Sequence, residues 1–173
     1  TSLPGNSSPD TKGAVVELLK IYKRTAATDG FPANDLAYAY QYFVVNNYNV
    51  YHNLAPMPAE LDPDLRKAAD MFDRLTILGT KKTRRVTMYQ EKLVYNQFKE
   101  GLSEDPKIQK MTDAEKQKAA EILATMQGLI FVMYENAVKN KDDKEIDEAR
   151  QLAKEAMEKL FETSMDKIHI SEF

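Results

Sequence analysis

The strongest helix signal in the chain lies at residues 112–140, TDAEKQKAAEILATMQGLIFVMYENAVKN. It begins with a capping box, in which the side chains of Thr112 and Glu115 can each accept a hydrogen bond from the other's backbone amide. Its apolar residues recur at alternating spacings of four and three, at Ala119, Leu123, Met126, Ile130, Met133 and Ala137. Residues 129–134 are apolar on every side, so the pattern predicts a helix at the centre of a bundle.

Helix signals continue on both sides of this segment, with little competition from strands. Five further stretches show the helical spacing of apolar residues, at 10–30, 36–53, 62–79, 81–101 and 143–163. A short helical turn is predicted after Asp105-Pro106. An extended connection is predicted at Pro56-Met57-Pro58, because proline disfavours a helix at the residue before it.

These elements predict one all-α domain, a single bundle of about five to seven helices. The helical domain is placed at residues 13–165. Residues 1–12 are predicted to be a flexible leader, because they are rich in Ser, Pro, Gly and Asn, and residues 166–173 to be an extended C-terminal tail. A chain of 173 residues, with 43% hydrophobic and 29% charged residues, has the size and composition of one globular domain.

The composition excludes several classes of protein. With no cysteine, the chain has no disulfide framework, thiolate zinc site or cysteine nucleophile. The most apolar charge-free stretch, residues 122–134, is shorter than the ~20 residues that cross a bilayer. A formal net charge of -3 disfavours general binding to nucleic acid or anionic membranes. We therefore predict no membrane span and expect no nucleic-acid partner.

No motif of a known catalytic or metal site is present. The sequence has no G-x-S-x-G elbow, phosphate-binding glycine loop or H-E-x-x-H pair. The two histidines, His52 and His169, lack the Glu-x-x-His spacing of di-iron bundles. Met126 and Met133 could serve as haem ligands with His52, but methionines at helical spacing usually fill a core. We predict no catalytic residue, no metal ligand and no cofactor, and an enzyme with a dispersed site is the alternative.

Four cations stand close together at Lys81, Lys82, Arg84 and Arg85. Such a cluster can contact phosphates, so nucleic-acid binding through these side chains is a second alternative. We favour a solvated segment that faces the acidic last third of the chain.

Residues 36–59 are unusual because they include no Asp, Glu, Lys or Arg, although they hold five of the nine tyrosines. A helix so free of charge is expected to be buried, where amides and phenols need hydrogen-bond partners. The candidate ligand-binding residues are the polar groups near its end: Asn46, Asn47, Tyr48, Tyr51 and His52. They either tie the helix to its neighbours or line a small polar pocket, in which His52 would titrate near neutral pH. We favour the first interpretation.

Two stretches carry a resemblance to a known family. They are Asn46-Asn47-Tyr48-Asn49-Val50-Tyr51-His52 and Met111-Thr112-Asp113-Ala114-Glu115-Lys116-Gln117, the second followed by Ala120-Glu121-Ile122-Leu123. Through them the chain resembles, over roughly residues 33–170, an uncharacterised family of exported bacterial all-helical domains of unknown function. The resemblance implies a helical fold and a periplasmic or secreted location, and it brings no activity and no catalytic residue.

The opening residues agree with an exported protein. The chain starts at Thr1 without a methionine, and we expect that a signal peptide has been removed before TSLPGNSSPDTKG. An arbitrary domain boundary in a cytoplasmic protein is the alternative. The sequence therefore predicts an exported, non-enzymatic module that binds an unidentified partner protein or small ligand.

Overall fold

A computed structural model describes residues 9–54 and 86–170 of the chain. All regular elements within these ranges are helical: α1 (Pro9–Asp29), α2 (Leu36–Tyr51), α3 (Met88–Glu104), α4 (Pro106–Gln109), α5 (Asp113–Asn140), α6 (Asp143–Phe161) and a 3₁₀ turn at Met165–Lys167. The prediction of a single all-α domain is confirmed. α1 already begins at Pro9, before the predicted start of the domain at residue 13. The predicted helix at 62–79, the proline connection before it and the cations at 81–85 lie outside the described residues.

Capping boxes set where two of the helices begin. At the start of α5, Thr112 Oγ1 accepts from the Glu115 amide at 3.3 Å, and the Thr112 amide donates to Glu115 Oε2 at 2.8 Å, as the sequence predicted. An equivalent box between Thr87 and Gln90 starts α3 directly after Thr87, whereas the sequence predicted a start at residue 81. The cap therefore decides the observed beginning of α3.

α2 lies at the centre of the bundle. It packs against α3, α5 and α6, while α5 also contacts α1 and α6. Most residues of α2 are buried, as the absence of charge predicted. Its N-terminal half joins a cluster of aromatic rings whose centroids lie 5.0–6.0 Å apart, formed by Tyr22, Phe31, Tyr38, Tyr42 and Tyr95.

The buried face of α5 differs from the face that the sequence spacing predicted. Most of its buried residues are small or polar: Ala120, Ala124, Gln127, Gly128, Ile130, Tyr134 and Ala137. Met126 and Met133, which were predicted to face inward, are exposed. The predicted burial of residues 129–134 on every side is also wrong, because Leu129 and Val132 are exposed.

Close approach between helices explains this difference. A Cβ atom added at Gly128 would lie 2.9 Å from Leu18 Cδ2 of α1, closer than real Cβ contacts. Glycine and alanine on the inner face let α5 lie at short range against its neighbours, where a methionine side chain would overfill the space. The bulky apolar residues of α5 are therefore turned outward.

Replacing Ile130 and Leu129 by alanine tests this orientation of α5. Ile130 is 8% exposed, and its neighbour Leu129 is 51% exposed. Ile130→Ala should lower the free energy of unfolding by about 2–4 kcal/mol, since it removes buried methyl groups and leaves a cavity. Leu129→Ala should change it by less than about 0.5 kcal/mol in dilute solution. Urea unfolding followed by circular dichroism measures both values, and equal losses would contradict the orientation.

Candidate functional site

The five candidate ligand-binding residues lie on the last turns of α2 and at its C-cap. The side-chain amides of Asn46 and Asn47 each donate to a backbone carbonyl one turn earlier, on Tyr42 and Phe43, at 2.8 Å. Asn47 is fully buried, whereas Asn46 is half-buried. Both amide nitrogens therefore bond within α2 itself.

The aromatic members of the group meet at the C-terminal end of α2. The ring centroids of Tyr48 and His52 are 4.4 Å apart, and those of Tyr51 and His52 are 4.9 Å apart. Arg150 of α6 donates from Nε to the carbonyl oxygen of Tyr51 at 2.9 Å. The structure thus brings these three rings together, and the bond from Arg150 ties the backbone of α2 beside them to α6.

The surroundings of His52 favour its neutral form. Burial lowers the pKa of the imidazole below its usual value of 6.5, and the nearby charges of Arg150 and His169 lower it further. The unfolded chain consequently binds a proton at this side chain at a higher pH than the folded chain does.

The depressed pKa of His52 predicts a loss of stability on mild acidification. As the pH falls through 6.5 towards the folded-state pKa, the unfolded state takes up the proton first, so the free energy of unfolding decreases. Urea midpoints at about pH 7.5 and pH 5.5 should therefore differ more for the unmodified chain than for the His52→Gln variant. The same pH dependence in both proteins would show that His52 makes no contribution.

Four buried side chains of α2 and α5 carry polar atoms without a hydrogen-bond partner in the protein. These atoms are the Tyr38 hydroxyl, Gln41 Oε1, Asn47 Oδ1 and both amide atoms of Gln127. Burial, followed by the charge of Asp29, raises the pKa of Tyr38 far above its usual value, which keeps the phenol neutral. Each unsatisfied group costs about 1–3 kcal/mol. The sequence pattern does not reveal Gln127, because the spacing of apolar residues does not mark a single glutamine as buried.

Replacing Gln127 by methionine should stabilise the protein. Methionine has a similar shape, and the change removes two amide atoms that have no partner, so we expect a gain of about 1–2 kcal/mol in the free energy of unfolding. Gln117→Met is the matched control on the same helix, because the Gln117 side chain donates to Glu121 Oε1 at 2.8 Å and should bring no gain. A destabilised Gln127→Met variant would contradict the expectation.

A cleft of about 760 Å³ opens at the N-terminal ends of α2 and α5. The two helices run parallel, since at their other ends the Tyr134 hydroxyl of α5 donates to Asn53 Oδ1, just beyond α2, at 2.7 Å. Apolar side chains from α2 to α5 form part of the lining: Leu36, Ala37, Leu102, Ile108 and Ala114. None of the five candidate ligand-binding residues lines this cleft.

The charges of the cleft offset one another. Lys99 and Lys116 contribute two cations, while Asp35 and Asp113 contribute two anions. The Asp35 carboxylate is already used in the fold, because it caps α2 and accepts from the Tyr95 hydroxyl at 2.7 Å. Burial, followed by this hydrogen bond, raises the pKa of Tyr95 to about 12. The cleft therefore shows no preference for a ligand of either charge.

The outward side of α5 carries a continuous row of large apolar side chains. We call this set the outer row: Ile122, Met126, Leu129, Val132 and Met133. Each of them is 39–51% exposed. Four of the five follow the spacing four, three, four, which is the spacing of a coiled-coil seam. Together they expose apolar surface on the order of 400 Å², the size of the largest apolar patch on a typical monomer, which is often functional.

Within residues 9–54 and 86–170, no three His, Asp or Glu side chains come together in a way that could hold a metal ion. Over the same ranges, no helix is both long enough and apolar enough to cross a membrane.

Comparison with known proteins gives one match. A family model described as "Family of unknown function (DUF6683)" matches residues 80–172, slightly more than half of the chain. The match includes the whole of α3 to α6 and the outer row, whereas the five candidate residues of α2 precede it. No curated protein and no solved structure matches the chain.

Proposed function

The chain belongs to the Family of unknown function (DUF6683), and we propose that it is a non-enzymatic interaction module that binds a helix against the outer row of α5. The observation that carries this proposal is the exposure of five large apolar side chains on one face of one helix. Isolated apolar residues on a surface need no explanation, but a contiguous row of them is a feature of interaction sites.

The spacing of the row supports a helical partner. In a seam with spacings of four and three, each apolar side chain can insert between four residues of a facing helix. The seam of the outer row consists of Ile122, Met126, Leu129 and Met133, which follow these spacings over three intervals. No charged residue interrupts them. An extended peptide would match an alternation of two instead.

The rigidity of α5 also supports the proposal. The helix has 28 residues, so the row lies in its interior, with further helical turns on both sides. Its inner face is held by the close contact at Gly128 and by the hydrogen bond from Tyr134 to Asn53. A surface that is already ordered loses little conformational entropy on binding.

In this proposal the polar group of α2 has a structural role. Asn46, Asn47, Tyr48, Tyr51 and His52 hold the end of α2, as the ring contacts and the bond from Arg150 to the Tyr51 carbonyl oxygen support. A ligand pocket at this place is the competing interpretation. It would require that His52→Ala weakens ligand binding and leaves stability unchanged.

The proposal includes an exported location, periplasmic or secreted, in a bacterium. It is supported by the resemblance carried by residues 46–52 and 111–123, and a chain without cysteine folds equally well in oxidising surroundings. The natural full-length protein fused to alkaline phosphatase, which is active only after export, should show phosphatase activity in intact cells. The corresponding β-galactosidase fusion should be inactive, and the reverse pattern would contradict export.

Substitution at the centre of the outer row tests helix binding. The probes are amphipathic peptides with apolar residues at heptad positions, selected from a displayed library and measured by fluorescence anisotropy. Leu129→Glu should weaken their binding at least about tenfold, because a carboxylate would have to be desolvated in the seam. Leu152→Glu is the matched control, since Leu152 is an exposed leucine of α6, 41% accessible. Equal binding by both variants would overturn the proposal.

A further inference from the structure

We propose that the helix seated on the outer row is α5 of a second copy of the chain, running antiparallel to the first. This inference rests on the proposed function and names the partner. The two-fold axis would pass between Met126 and Leu129, in the middle of the row. The same surface would then be used by both copies, as in the isologous interfaces of most homodimers.

The spacing of the row is self-complementary. A sequence of intervals of four, three and four is the same in both directions, so an antiparallel copy presents its side chains in matching register. Ile122 of each copy then lies opposite Met133 of the other, and Met126 lies opposite Leu129. Every apolar side chain of the seam meets an apolar partner, and no polar group is trapped in it.

The charges at the ends of the row decide the direction of the second copy. Glu115 and Lys118 lie on the N-terminal side of the row, Asn136, Lys139 and Asn140 follow it on the C-terminal side, and all five are exposed. In a parallel pair, each charge would approach its own equivalent, and like charges repel across an interface. In an antiparallel pair, Glu115 approaches Asn140 and the adjacent Lys139 of the other copy, while Lys118 lies within one turn of Lys139. The separation of the two Glu115 carboxylates, which lie on the line of the seam, therefore favours the antiparallel arrangement.

The size of the row sets the strength of association. An exposed apolar surface on the order of 400 Å² on each copy gives about 800 Å² in total, which is below the roughly 1,200 Å² of stable interfaces and in the size range of weak, transient contacts. We therefore expect a dimer in exchange with monomer, with a Kd of about 1–100 μM rather than a permanent assembly.

Disulfide trapping tests this register directly. The chain has no cysteine, so introduced thiols are the only ones present. When Ile122→Cys and Met133→Cys proteins are mixed at about 100 μM and oxidised, a mixed disulfide dimer should form in preference to either symmetric dimer. In the antiparallel pair, two copies of position 122 are separated by about 16 Å along the helix, which is too far for a disulfide.

The outcomes distinguish the other occupants of the row. Preference for the two symmetric disulfides would show a parallel pair and overturn the proposal. A disulfide within one chain, between Ile122→Cys and Phe72→Cys in a double variant, would show that residues 62–79 of the same chain cover the row. This result would also overturn the proposal that a second copy occupies the row.

Sedimentation equilibrium gives a readout that needs no thiol. The average mass of the unmodified chain should rise with protein concentration. Leu129→Glu should raise the concentration at the midpoint of the monomer–dimer equilibrium at least about tenfold, whereas Leu152→Glu should leave that concentration unchanged. A chain that stays monomeric up to about 1 mM overturns the second-copy proposal. If the selected peptides still bind that monomer through Leu129, helix binding stands and the partner is a different protein. If they do not bind, the proposed function fails as well.

Discussion

The close contact between Gly128 of α5 and Leu18 of α1 is the constraint on which the rest of the structure depends. A side chain at position 128 would collide with Leu18, and the inner positions Ala120 and Ala124 on the same helix are also small and buried. Since only small residues fit on this side, the rotation of α5 about its own axis is determined. The position of every larger side chain of α5 follows from it.

The outer row is a direct consequence of that rotation. A helix of 28 residues that turns alanine and glycine inward must turn Met126, Leu129 and Met133 outward, although these residues are as apolar as many in the core. Leaving such a row in water has a free-energy cost, which association with another helix removes. The fold therefore links a packing constraint inside the bundle to the surface on which the proposed function depends.

α2 contains both a destabilising feature in its interior and a well-held C-terminal end. It brings Tyr38, Gln41 and Asn47 into the interior with atoms that have no partner, opposite a helix that contributes Gln127. Apolar side chains at these positions would be more stable, since each unpaired group carries a desolvation cost. The C-terminal end of α2 is instead well held, by Arg150 and by the hydrogen bond from Tyr134.

The sequence alone determined approximately where the helices of the described chain lie, apart from the start of α3, and that α2 is buried, because capping side chains and the absence of charge act locally. It also identified the polar group from Asn46 to His52, and the structure places that group at one helix end. It could not determine which face of α5 is inside, because both faces are apolar and periodicity does not measure how closely two backbones approach. Only the packing of Gly128 against Leu18 decides this, since steric contact between distant segments exists only in the folded chain.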